Sequence, residues 1–527
     1  MKNIVITGFM GTGKTSVGQV VAQQLKREFV DMDSEIESLV GKPIPLIFSE
    51  SGEGAFRRIE SKVCETLSRK EDLVIATGGG ALIDPANREM MLHSGMGICL
   101  EASADEILRR VGTAGNRPLL EGPDPRKRID HLQELREAAY AHIPWHIDTT
   151  NRPVDFIAAR VLAVAESLMC PVRYPGGGYD IYIGAGILDS LGGILRAAGV
   201  DSESPMAILT NPVVHALYGT RVENTLKRSG YQPFICMQAD GEQYKNLDTV
   251  RLLYDQLLAG KMDRSGTVLA VGGGVTGDTA GFAAATYMRG VRFVQAPTTL
   301  LAMTDASVGG KTGVDLPQGK NLVGAFKQPD LVFIDLDVLQ TLPAEEVRSG
   351  MAEVLKHGII DAPKLFAELS QGQNGPGVGL KAGQLARSLQ VKIDIVQNDP
   401  YEKGRRAVLN FGHTTGHALE QLSQFSMRHG EAVSIGMVAA SRIAELLGVA
   451  DTGLADRIAV GLSAWELPVR CPDFEVDDII DTMMRDKKKH GKKLRWVLPR
   501  SIGDIGLYDD VPQDVVKSVL VSMGARE

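Results

Sequence analysis

Short apolar runs alternate with amphipathic stretches over residues 1–168. "NIVITGF", "FVDMD", "LVIATGGG" and "GICLEAS" read as strands, a helix starts at Lys14, and a last one covers "VDFIAARVLAVAESLM". Alternation of this kind predicts a parallel sheet covered on both faces. Within "FVDMD", Asp31 and Asp33 are expected on one face of a strand at period two. "CPVRYPGGGYDIYIGAG" then breaks the pattern with Pro171, Pro175 and a run of glycines, which places a linker at 169–178. From 179 to 337 the alternation resumes in "PMAILTN", "QPFICMQA", "TVLAVGGG", "FVQAPTT" and "LVFIDL", predicting a second α/β domain. Beyond Pro343 the β-rich runs stop and helical periodicity takes over, as in "EEVRSGMAEVLKHGII" and "EAVSIGMVAASRIAELLG", so 338–527 is expected to be mainly helical. "SQGQNGPGVGLKAG" reads as a surface loop.

Composition changes this picture little. At 527 residues the chain has room for about three folding units. A net charge of −8 argues against a general nucleic-acid binder and directs attention to small anionic substrates. Five cysteines, Cys64, Cys99, Cys170, Cys236 and Cys471, show no CxxC spacing, so neither a disulfide framework nor a thiolate zinc site is expected, and a reducing cytoplasm fits. No run of about 18 apolar residues occurs, so neither export nor a membrane span is expected.

"GFMGTGKT", Gly8 to Thr15, is a full P-loop between a strand and a helix. Backbone N–H groups of Gly11, Thr12, Gly13, Lys14, Thr15 and Ser16 can wrap phosphates at a helix N-terminus, Lys14 neutralises their charge, and the Thr15 hydroxyl can ligate Mg²⁺. A P-loop does not identify the acceptor. "FVDMD", "FRRIE" with Arg57 and Glu60, "ATGGGA" with Gly78 to Gly80, and "NRPLL" with Arg117 each have a bland reading as solvated charges or tight turns, but in this order the segment from Met1 to about Leu168 closely resembles shikimate kinase. That resemblance implies ATP with Mg²⁺, Asp33 on the shikimate hydroxyls, Arg57, Gly79 and Arg136 around its carboxylate, Arg117 as a lid over the phosphates, and Arg110 near adenine. Charge-assisted donors from planar guanidinium groups suit a small carboxylate.

Further along, "AVGGGVTGDTAGF" opens a helix after a strand and can admit a pyrophosphate, though it lacks the GxGxxG fingerprint. "DASVGGKTGVDLPQGKNLVGAF" concentrates Asp305, Lys311, Lys320 and Asn321 in a polar segment that looks like a phosphate-binding site. "LNFGHTTGHALE" sets His413 and His417 one helical turn apart, a spacing found about as often in core or surface pairs as in metal sites, with His429, Glu353 and Lys356 available elsewhere. With "DGEQYK", "GMAEVLKHG" and "HGEAVSIGM", these motifs resemble 3-dehydroquinate synthase from about Tyr179 to Gly503.

This second resemblance implies a Rossmann-like domain and a helical zinc and substrate domain. It implies zinc, with Co²⁺ as a possible substitute, on Glu353, His413 and His429, while His417 faces the substrate. It implies NAD against Asp240, Gly241, Glu242, Gln243, Tyr244, Lys245, Gly274, Val275, Thr276, Gly277, Asp278, Thr298, Thr299, Lys311, Lys320, Val338, Leu339, Gln340 and Thr341. Substrate would meet Asp305, Lys311, Asn321, Lys356, Lys392, Arg406, Asn410, His417 and Lys487 or Lys488, with Arg289 supplied by the partner in a homodimer. Asn211 and His357 stand where an aspartate and a tyrosine are usual. The implied reaction turns a heptulosonate phosphate into 3-dehydroquinate by transient oxidation, phosphate elimination, re-reduction, ring opening and aldol closure. Two rivals compete: another small-molecule kinase fused to a zinc polyol dehydrogenase, which would release NADH, and a chain in which one half is a degenerate regulatory module.

Overall fold

The structure, a computed structural model, describes residues 2–111, 124–371, 379–402, 404–490 and 495–527, with side chains at 485–490 left aside. Half of the expected surface loop at 370–383, residues 372–378, lies outside the described residues. The chain forms two compact units, Met1–Ser167 with Gly184–Met206 and Ala216–Pro233, and Leu168–Ile183 with Ala207–His215 and Phe234–Glu527.

The first unit is built on strands β1 (Asn3–Gly8), β2 (Glu28–Asp31), β3 (Leu73–Ala76), β4 (Gly95–Glu101) and β5 (Trp145–Asp148), in the order β2-β3-β1-β4-β5. Every pairing is parallel. β1 and β3 are buried along their whole length, as continuous apolar runs in a two-sided sheet should be. Their core partners include Ile36, Phe56 and Leu67 from covering helices. One expectation is corrected: β2 stops at Asp31, and Asp33 belongs to the Met32–Val40 helix. The Asp31 side chain caps that helix by accepting from the Asp33 N–H, so local capping overrides the period-two pattern.

The second unit begins with β6 (Leu168–Tyr174) and β7 (Gly177–Gly184), an antiparallel hairpin formed by the proline- and glycine-rich stretch expected to be a linker. They extend a seven-stranded sheet, β6-β7-β14-β11-β10-β8-β9, with β8 (Met206–Thr210), β9 (Pro233–Met237), β10 (Thr267–Gly272), β11 (Arg292–Pro297) and β14 (Leu331–Asp335). β10, β11 and β14 run parallel, and the intervening β12 (Lys311–Leu316) and β13 (Gly319–Phe326) form a separate antiparallel hairpin.

The last third is helical, with the Ala344–Asp361 and His429–Leu446 helices buried nearly all round, the mark of central helices. The β-rich runs do not stop altogether, however. β15 (Trp496–Ser501) and β16 (Asp504–Tyr508) make an antiparallel hairpin about Gly503, whose φ of 97° suits a tight turn. Such short runs carry little periodicity of their own; burial of Trp496, Val497 and Leu498 fixes them as strands.

Candidate active sites

In the first unit, the loops that leave the carboxyl ends of β1 and β3 meet. Gly8 closes β1 at φ 133°, and a Cβ there would lie 2.2 Å from Leu100 O, so the P-loop can start only from glycine. Lys14 Nζ donates to Gly8 O and Phe9 O at 2.9 and 3.0 Å, arched over the loop that Gly11, Thr12 and Gly13 complete. Thr15 Oγ1 donates to Asp31 Oδ2 at 2.7 Å, which sets a hydroxyl and a carboxylate together at the first helical turn, where Ser16 follows. Arg110 lies behind the loop, donating to Thr149 Oγ1 at 2.9 Å and to Gly11 O and Thr12 O at 3.3 Å.

Beside this cradle, Gly78–Gly80 form the floor of a charged cleft. A Cβ on Gly78 would meet Asp33 Oδ1 and Glu60 Oε1, and one on Gly80 would meet the Arg57 guanidinium. Arg57 pairs with the buried Glu60 at 2.7 Å, and Arg136 donates to Gly79 O at 2.9 Å while stacking 5.1 Å above the Phe9 ring. Burial raises the Glu60 carboxyl above its ordinary value despite Arg57. The structure thus brings together Lys14, Thr15, Asp33, Arg57, Gly79 and Arg136. Arg117 lies outside the described residues. Tyr140, which also donates to Gly79 O at 2.6 Å, was missed because a single tyrosine on a helix carries no motif. A second cluster of ligand-type residues, Cys99, Glu101 and His146, is a structural lock: His146 engages Glu101 through Nδ1 at 2.7 Å and Ile143 O through Nε2 at 2.8 Å, leaving neither nitrogen for a metal.

In the second unit the loops after β10, β11 and β14 leave one edge of the sheet. Gly274, Val275, Thr276, Gly277 and Asp278 start the helix after β10, Thr298 and Thr299 follow β11, and Val338 to Thr341 lie on a turn after β14. A Cβ on Gly273 would come within 3.1 Å of Thr299 Cγ2, so the first two loops touch. Asp240 accepts from Asn211 Nδ2 at 2.8 Å, which shows how asparagine serves at that position. Lys245 Nζ bridges Asn321 Oδ1 at 2.6 Å and Asp278 Oδ2 at 2.7 Å, and burial pushes the Asp278 carboxyl up to about 6 against that lysine. Gly241 to Tyr244 lead into Lys245, and Lys320 reaches back to Glu242 at 3.2 Å.

Next to this edge opens a cavity of about 540 Å³ lined by Asp278, Asp305, Lys311, Asn321, Lys356, Lys392, Arg406, Asn410 and His413 among others. Lys356, Lys392 and Arg406 are all buried. Lys392 Nζ donates to Asp305 Oδ1 at 2.5 Å; although burial opposes its ionisation, this lysine holds the Asp305 carboxyl well below the usual range. Lys311 pairs with Glu402. Arg289 does not line the cavity; it is exposed, on a turn where Met288 and Arg289 both adopt left-handed φ. The side chains of Lys487 and Lys488 lie outside the described residues.

At the cavity's end the ligand atoms of Glu353, His413 and His429 lie within 4.8 Å of one another. Three helices converge to do this, and glycines let them approach. A Cβ on Gly436 would sit 1.9 Å from Gly412 O, and one on Gly430 would sit 2.1 Å from Ser349 O. Lys356 Nζ pairs with Glu353 Oε2 and His429 Nε2 lies 3.6 Å from Oε1, yet neither buried carboxylate oxygen has a hydrogen bond of ordinary geometry. Despite burial, Lys356 and the two histidines hold the Glu353 carboxyl well below its ordinary value, and burial with Lys356 pushes His413 far down, so an anionic carboxylate faces a neutral imidazole. A buried carboxylate so placed beside two imidazoles fits a divalent zinc-type ion with an open fourth position. His417 sits one turn beyond His413 on the same helix, exposed, its ring 6.2 Å from that of His429.

Comparison with known proteins finds relatives for both parts of the chain. Residues 10–166 match the family model of shikimate kinase, 235–349 that of the 3-dehydroquinate synthase N-terminal domain, and 350–489 that of its C-terminal domain. The 3-dehydroquinate synthase of Rippkaea orientalis is 45% identical over 366 residues, covering 67% of this chain and 98% of that protein. Two solved structures resemble the same part. One is 2-deoxy-scyllo-inosose synthase complexed with carbaglucose-6-phosphate, NAD⁺ and Co²⁺ (25% identity, 68% of this chain and 100% of that one, TM-score 0.61). The other is 2-epi-5-epi-valiolone synthase from Streptomyces hygroscopicus with NAD⁺ and Zn²⁺ bound (29%, 66% and 96%, TM-score 0.59).

Proposed function

The chain belongs to the 3-dehydroquinate synthase family over its larger part, with a shikimate kinase domain ahead of it, and from that premise we propose how its residues divide the work. It is a bifunctional shikimate-pathway enzyme: it phosphorylates shikimate with ATP and converts 3-deoxy-D-arabino-heptulosonate 7-phosphate to 3-dehydroquinate and phosphate.

In the kinase cleft, Gly11 to Ser16 wrap the ATP phosphates, Lys14 neutralises them, and Thr15 with Asp31 would hold Mg²⁺. Arg57, Arg136 and Gly79 hold the shikimate carboxylate, and Asp33 accepts from the hydroxyl that attacks. Arg110 and Arg117 attend the nucleotide.

In the synthase cavity, Glu353, His413 and His429 would hold zinc, and the loops after β10, β11 and β14 would hold NAD. Bound zinc would acidify the substrate alcohol and polarise the ketone, and NAD would take up and return a hydride. Lys311, Lys356, Lys392 and Arg406 bind the phosphate and carboxylate, while Asp305 keeps Lys392 in place. Asn321, Asn410 and His417 orient the hydroxyls, so orientation and charge, rather than a dedicated base, are what the protein supplies. The observation that carries this reading is the buried Glu353 carboxylate without a hydrogen bond of ordinary geometry, grouped with His413 and His429 beside a cationic cavity that His413 lines. Phosphate release from the heptulosonate phosphate, with and without chelator, tests it; NADH accumulating in step with substrate consumed would favour a polyol dehydrogenase instead.

Two wider proposals belong with this one. The synthase half forms a homodimer in which Arg289 enters the other subunit's site, supported by its exposure and by the left-handed φ of Met288 and Arg289 before Gly290. The enzyme works in the cytoplasm, supported by five buried, unpaired cysteines; no helix among the described residues is long and apolar enough to cross a membrane.

A further inference from the structure

Two trios of possible ligands share one imidazole. Glu353, His413 and His429 form one; His417, Glu420 and His429 form the other, again with ligand atoms within 4.8 Å. His429 turns opposite nitrogens to them. Its Nε2 lies 3.6 Å from Glu353 Oε1, and its Nδ1 lies 3.2 Å from Glu420 Oε1. The two carboxylates differ. Glu353 is sealed from solvent with neither oxygen in a hydrogen bond of ordinary geometry, whereas the Glu420 side chain is 12% exposed and already engaged by the His429 ring. An ionised carboxylate can only accept, so the proton in the Glu420 contact sits on Nδ1, and Nε2 is the nitrogen turned toward Glu353. A nitrogen that donates to Glu420 cannot also ligate.

From this geometry we propose that Glu420 is a positioning residue: by accepting from Nδ1 it fixes the ring direction of His429 so that Nε2 points into the Glu353–His413–His429 trio. This rests on that trio being the metal site. Glu420 lies two turns along the helix that begins with His413, so one helix supplies a ligand and also the group that orients the next ligand. Carboxylates placed behind a ligating histidine raise its basicity and hold its plane, and their loss typically costs about 10–100-fold in metal affinity.

The test is the zinc dissociation constant of the full chain, measured by competition with a chromogenic chelator, for wild type, Glu420→Ala, Glu420→Gln and Glu353→Gln, beside the visible spectrum of the Co²⁺-loaded forms. Glu420→Ala should weaken zinc by about 10–100-fold yet still bind one ion per chain at saturation. Glu420→Gln, whose amide oxygen accepts the same hydrogen bond without the charge, should lose less, and Glu353→Gln should lose the ion. Zinc held as tightly by both Glu420 variants as by wild type, with Glu353→Gln stripped, overturns the positioning role and leaves the trio standing. Zinc retained by Glu353→Gln and lost from Glu420→Ala makes the other trio the site and overturns both. Should Glu420→Ala not fold, shown by melting of the metal-free chain, the Gln variant decides: unchanged affinity is fatal to the proposal.

Discussion

The two sites solve one problem, binding small anions, in different ways. The kinase cleft relies on backbone N–H groups and on two arginines of unequal exposure, Arg57 at 35% beside its buried partner Glu60 and the buried Arg136, which donates to a backbone carbonyl. The synthase cavity adds side-chain cations almost wholly out of water, Lys356 at 1% and Lys392 at 5% exposure, each paired with a carboxylate, to the half-exposed Lys311. A backbone cradle comes with its loop and needs little around it. A buried cation is tolerated only where a counter-charge is held in place, so its site depends on helix packing far beyond the motif.

The largest effect that would test this contrast is on metal. His429→Ala should strip the ion and reduce synthase activity to background, while His417→Ala should lower activity yet keep about one ion per chain, because three protein ligands remain. Metal content of the purified variants decides, and the reverse pattern would move the site to the helical histidine pair. Kinase turnover should be untouched in both. Next, Lys14→Ala should lower shikimate phosphorylation on the order of 10²–10³-fold with dehydroquinate formation unchanged; equal loss of both activities would remove the two-site reading. A subtler probe is Gly436→Ala, which adds one methyl group against Gly412 O at the start of the helix that carries His413. It should destabilise the chain by about 1–3 kcal/mol and loosen zinc, read by melting and chelator competition, with no change in shikimate KM. The smallest effect is expected from Arg57→Lys. Loss of the planar fork should raise shikimate KM roughly tenfold at similar kcat, seen in steady-state kinetics; a change in kcat alone would place Arg57 at the phosphoryl group instead.

Much of this protein was determined by its sequence alone. The P-loop from Gly8 to Thr15, its flanking strand and helix, and the fully apolar runs of β1, β3, β10 and β14 are local: a few consecutive residues fix both conformation and chemistry, because glycine at positive φ and continuous hydrophobicity act without distant partners. The i, i+4 spacing of His413 and His417 was equally plain, but it left open whether that pair holds a metal. Periodicity tells which residues share a helix face, not what lies opposite that face. Only the tertiary structure set His429 beside His413, by letting Gly436 meet Gly412 and Gly430 meet Ser349, and only it buried the Glu353 carboxylate without a hydrogen bond of ordinary geometry. The same holds where the strand pattern put Asp33 beside Asp31 and a helix cap separated them, and where β15 and β16 emerged from an otherwise helical third. Contacts within a few residues are set by chain stereochemistry, whereas close approach between distant helices is decided by the volume each side chain must fill.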